Sequence, residues 1–149
     1  MNVNSVRETP MEMPRKTAAS IRSAGVAEDV TDMRMFEEQT KIIQALAKQA
    51  PGVFLGRCAN FVLGGQPHSY SSFVYADDEY REKEYYKGQT LNELKLRDIQ
   101  RNEYYQRFTG MKRDDPKHYD MVVNVLKTGV DGAVKMILDY VEQKESGSK

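Results

Sequence analysis

No tryptophan, a single cysteine and only two histidines stand in this chain, and each shortage removes a class of chemistry. One cysteine, Cys58, cannot close an internal disulfide, which fits a reducing cytoplasm better than an oxidising compartment. His68 and His118 lie fifty residues apart, so with one thiol they do not compose a metal-ligand cluster. Neither is a sequence neighbour of Cys58, which reads as a small buried residue rather than a nucleophile. Charge of one sign is not in excess. Lys and Arg total 22 and Asp and Glu total 22, so no overall field points to nucleic acid or a membrane surface as partner. No apolar run approaches the ~18 residues of a membrane span, and the start lacks the apolar centre of a signal peptide. Gly-x-x-x-x-Gly-Lys-Ser/Thr occurs nowhere, so the glycine-rich loop that cradles nucleotide phosphates is missing.

The chain that remains is ordinary in composition, 40% hydrophobic and 30% charged, with 149 residues suited to one domain. Residues 1–31 carry two prolines and no sustained period, and read as loosely ordered, with a short helix over Lys16–Ser23. From residue 32 to 144 the pattern is regular. Asp32 reads as an N-cap for a helix through Met35, Ile42, Ile43 and Leu46 to about Lys48, closed by Ala50-Pro51-Gly52. Val53-Phe54-Leu55 is a short apolar strand, Ala59–Leu63 a brief helix, and Ser71–Ala76 a second strand. Asp77 or Asp78 caps a helix to Tyr86, stopped at Lys87-Gly88, and a longer, largely polar helix spans Leu91–Phe108. Tyr119–Asn124 is the third strand. The last helix, Val130 to Glu142, lines up Val130, Val134, Ile137, Leu138 and Val141, and residues 145–149 read as a disordered tail. Strands alternating with helices imply an α/β fold with a parallel sheet. Three strands alone leave both edges open, which predicts a marginal fold, prone to aggregate or to form a homodimer.

Two places carry candidate chemistry. Arg57 stands on the Gly56-Arg57-Cys58-Ala59-Asn60 turn after the first strand, at the sheet edge where α/β proteins bind ligands. Its planar fork of donors suits phosphate, although a plain surface arginine fits the same position. Asp98 and Arg101, three apart on the long helix, share a face and can grip one ligand together, or simply pair with each other. The tyrosine pairs Tyr85-Tyr86 and Tyr104-Tyr105 read as packing rather than as base-stacking platforms.

These stretches in order resemble the cytidylate-kinase-like family of P-loop phosphotransferases. The residues that carry the resemblance are Gly56-Arg57-Cys58-Ala59-Asn60, Tyr75-Ala76, Tyr80-Arg81 and Asp98-Ile99-Gln100-Arg101. Tyr104-Tyr105, Thr109-Gly110-Met111-Lys112 and Asp115-Pro116-Lys117-His118-Tyr119-Asp120 continue it. The resemblance implies a P-loop-type parallel sheet and transfer of the ATP γ-phosphoryl group, with magnesium, to CMP or dCMP. By the same resemblance Arg57 and Asn60 contact the acceptor nucleotide, and Asp98 with Arg101 helps hold it. Arg81 starts a lid over the donor phosphates, and Arg81 and Lys83 supply its charge. Two positions depart from the pattern: Asn60 replaces a carboxylate, and Glu84 stands where relatives place a second lid arginine. With no phosphate loop, the chain reads as an N-terminally truncated member, inactive alone. The missing start is explained by a fragment of a longer product, the favoured reading, or by a natural remnant. The rival function is a non-catalytic nucleotide-binding or regulatory module.

Overall fold

The computed structural model describes residues 5–6, 21–85 and 88–147, with side chains at 31–84 and 88–147. The chain divides into two compact units, Met1–Leu63 and Gly64–Lys149. In the first, β1 (Ser5–Val6) lies parallel to β2 (Val53–Phe54), with Ser5 opposite Val53 and Val6 opposite Phe54. The two are joined through α1 (Ile21–Gln49), the helical crossover that a parallel pair requires. α2 (Ala59–Val62) follows. Ile43, Ala59 and Leu63 are buried here, with Ala47, Phe54 and Val62 packed against them.

Two expectations for this unit are corrected. The segment 1–31 is not loosely ordered throughout: Ser5–Val6 pairs as a strand, and helix begins at Ile21, well before the expected cap Asp32. The helix expected over Lys16–Ser23 falls partly outside the described residues; its last three residues, from Ile21, belong to α1. The apolar strand is also less buried than its composition implies, since Val53 and Leu55 are about half exposed. Among the described residues this sheet has two strands, too few to cover an apolar strand from every side.

In the second unit β3 (Ser72–Tyr75) runs parallel to β4 (Met121–Asn124), in a register that sets Phe73 beside Val122 and Val74 beside Val123. Asp120 clamps the start of this pair: its carboxylate accepts from the Ser71 amide at 2.7 Å and the Ser71 hydroxyl at 2.9 Å. Between the strands come α3 (Asp78–Tyr80), a π-helical turn over Arg81–Tyr85, and α4 (Leu91–Thr109). α4 opens on a capping box, in which the Thr90 hydroxyl accepts from the Glu93 amide and the Glu93 carboxylate accepts from the Thr90 amide. It closes at Gly110, whose φ of 71° is cheap only for glycine. Leu94 and Tyr105 are its buried anchors.

α5 (Val125–Gly147) is interrupted at Gly129, whose φ of 69° and ψ of 171° break the helical path, so its long part starts where the sequence placed it. Val123, Val125 and Ala133 form the core of this unit, against Tyr80 and Met121. The expected apolar face is corrected: α5 buries Ala133, leaves Ile137 and Val141 half-buried, and exposes Val130, Val134 and Leu138 by about half. A two-stranded sheet is narrower than that five-residue stripe. The expected disordered tail is corrected as well, since helix continues to Gly147 and the Glu145 carboxylate accepts from His68 at 2.8 Å and from the Tyr70 hydroxyl at 2.8 Å.

Candidate functional site

In the second unit a hydrogen-bonded cluster of charges forms where three elements converge. The chain leaves β3 at Tyr75 and enters α3 at Asp77, whose carboxylate caps the helix by accepting from the Tyr80 amide at 2.9 Å. The next residue, Arg81, begins the π-helical turn, a rare geometry that recurs at functional sites. Its guanidinium donates to Asp98 on α4 through both nitrogens, at 2.6 and 3.0 Å. This is the planar two-point grip that guanidinium and carboxylate are shaped for. Asp78 lies 3.4 Å from the same Nη1 of Arg81, and Lys95 stands 3.9 Å from Asp78. The Arg81 and Asp98 side chains are only 19% and 25% exposed, so water screens the pair incompletely.

Arg113, in the loop after α4, completes the cluster. Its Nε donates to Asn102 Oδ1 at 2.8 Å, and its guanidinium reaches within 3.9 Å of Asp98. Arg113 falls between the two stretches singled out in the sequence, Thr109–Lys112 and Asp115–Asp120, and was missed. The available signal was a second cation just past Gly110, where α4 ends on the turn following Asp98 and Arg101.

The sequence-predicted residues of this unit divide. Arg81 and Asp98 come together, though they are seventeen positions apart in sequence. Arg101 is half-buried one turn beyond Asp98 on α4. Lys83 is exposed and held by Glu79 at 2.6 Å, a bond that raises its pKa above the ordinary lysine value. Tyr105 is buried and Tyr104 packs on Phe108 with ring centres 4.7 Å apart, as expected for packing residues. The side chains of Tyr85 and Tyr86 lie outside the described residues.

In the first unit the Arg57 turn has an unusual backbone. Gly56, Arg57 and Cys58 take φ of 71°, 53° and 57° in succession. Two adjacent non-glycine residues in the left-handed region are uncommon and carry backbone strain. The turn is closed by the Ala59 amide donating to the Gly56 carbonyl at 3.0 Å. Arg57 and Asn60 are both half-buried on it. Cys58 is buried, and loss of hydration pushes its thiol up to about 11, against a smaller opposing pull from Arg57. That makes it inert as a nucleophile at neutral pH.

Among the described residues no three His, Cys, Asp or Glu side chains are grouped as a metal site, and no helix is long and apolar enough to cross a membrane.

No curated protein matches significantly. A crystal structure of an uncharacterized protein from Eubacterium ventriosum ATCC 27560 is similar at 27% identity and a TM-score of 0.67, covering 77% of this chain and 76% of that one. The model of the cytidylate kinase-like family matches residues 3–127, a span that takes in β1, the Arg57 turn, the Arg81–Asp98 pair and Arg113. By that match, over most of its length, the chain belongs to the cytidylate kinase-like family.

Proposed function

We propose that this protein binds a pyrimidine nucleoside monophosphate, CMP or dCMP, and that the chemistry behind the fold is transfer of the ATP γ-phosphoryl group to that acceptor. The observation that supports this reading is the Asp98 carboxylate, held by Arg81 and approached by Arg113 inside the family-matched segment. A carboxylate locked in place accepts hydrogen bonds from a ligand without first giving up conformational freedom, and the guanidinium donors beside it suit a phosphate. Arg101, on the same face of α4, is the proposed partner of Asp98 in holding the nucleotide. Arg57 is proposed as a phosphate contact, with Asn60 beside it, on the strength of its strained turn and the family resemblance. Arg81, with Lys83, is the proposed source of lid charge.

Kinases of this kind use ATP with magnesium. This chain's own residues do not fit that donor. The sequence has no glycine-rich loop ending in Lys-Ser/Thr to hold the ATP phosphates. Phosphoryl transfer depends on positioning and charge cancellation at the transferring group, so the 149 residues alone are expected to bind acceptor without turning it over. This favours, as the second reading, a non-catalytic nucleotide-binding module. Two measurements test the proposal. CMP added to the isotope-labelled protein should shift resonances saturably, with Kd near or above about 1 mM for an incompletely formed pocket, and Arg57→Ala should abolish the response. Incubation with ATP, magnesium and CMP should release no ADP; turnover of about 1–100 per second, the ordinary kinase range, would refute the inactivity.

A further inference from the structure

Asp98 is held by two arginines of different character. Arg81 lies on the π-helical turn after α3, and its guanidinium is shared with Asp78. Arg113 is anchored at both ends. Its backbone carbonyl accepts from the Tyr119 hydroxyl, its Nε is bonded to Asn102, and its guanidinium lies 5.6 Å over the Phe73 ring. From that fixed perch Nη2 stands 3.9 Å from Asp98 Oδ1, too long for a hydrogen bond and close enough to act through charge.

We propose that Arg113 is a positioning residue, which keeps the Asp98 carboxylate aimed at the nucleotide when Arg81 turns from Asp98 to a phosphate. The inference rests on the reading of Asp98 as a nucleotide-binding group. The guanidinium of Arg81 is already shared between Asp78 and Asp98, so a phosphate drawn to it competes with them for its donors, and a cation that stays beside Asp98 keeps that carboxylate in place. Arg113 meets the need because its stacking on Phe73 and its bond to Asn102 are independent of any ligand.

The test uses CMP as probe and resonance titrations of the full chain. Arg113→Gln keeps a planar donor for Asn102 and removes the charge, so it should melt near the parent temperature yet bind CMP about tenfold more weakly, one factor of ten in Kd. Arg113→Lys restores the cation and should recover most of the affinity. In an Asp98→Asn background, Arg113→Gln should have no further effect, because the group it acts through is gone. A CMP affinity unchanged by Arg113→Gln, or lowered equally with and without Asp98, overturns the positioning role and leaves the nucleotide reading standing. A parent protein that does not bind CMP overturns both.

Discussion

Replacing Asp98 by Asn keeps the shape of the side chain and removes its charge. In the parent the carboxylate takes two guanidinium hydrogen bonds, at 2.6 and 3.0 Å, with both side chains three-quarters or more buried. Hydrogen bonds to charged groups contribute about 1.5–3 kcal/mol net. An amide keeps one acceptor and turns its NH2 toward the Arg81 donors, so one of the two bonds survives at best. With Arg113 nearby adding a second unbalanced cation, the loss should be about 2 kcal/mol. Urea unfolding followed by circular dichroism is a direct assay, and for a slope of ~2 kcal/mol per molar this loss lowers the midpoint by about 1 M with the slope unchanged. A cycle that adds Arg81→Gln isolates the pair and should return a coupling of at least ~1 kcal/mol. A coupling below ~0.5 kcal/mol is what exposed ion pairs give, and it would mean that the fork seen between α4 and the π-helical turn does not hold the site together.

Three further outcomes follow from local features. Cys58, buried with its thiol pushed up to about 11, should resist a thiol reagent at pH 8 in the folded protein and react only in denaturant; rapid labelling without denaturant would show the Arg57 turn to be open. Glu145 is held below the usual carboxylate range by its hydrogen bond from His68 first and that from Tyr70 second. A depressed carboxylate stabilises the fold above its unfolded pKa, near 4.5, and the contribution fades as pH falls below that value. The melting difference between parent and Glu145→Gln should therefore be present at pH 7 and shrink as pH falls below 4.5, and a difference independent of pH would exclude the ionised bond. Gly129→Ala should cost about 1–3 kcal/mol in chemical denaturation, because its φ and ψ lie in a region only glycine enters easily and no atom within 4 Å would clash with the added methyl; a neutral effect would place the kink elsewhere.

Much of this protein could be read from local residues, because local rules act over a few positions. Leu91–Phe108 reads as a helix, and the structure gives Leu91–Thr109, opened by the Thr90–Glu93 capping box and closed at Gly110. Asp77, one of the two residues expected to cap the next helix, caps it, and the strands at Phe73 and Val123 lie where apolar runs are bounded by turn residues. The family likewise was legible, because its signal is order and spacing along the chain. β1 was not: Ser5–Val6 is too short and polar to announce a strand, and pairing with Val53–Phe54, on the far side of α1, is what makes it one. The apolar stripe of α5 had the right period, yet which of its residues are covered depends on the width of the sheet beneath them. The site shows the same division. Sequence supplied Asp98 with Arg101 as one pair and Arg81 apart from them, and only the packing of the π-helical turn against α4 puts the guanidinium of Arg81 on Asp98. Arg113 belonged to no motif and became visible when the loop after α4 carried it over Phe73, since a charge acts through space and a sequence records only distance along the chain.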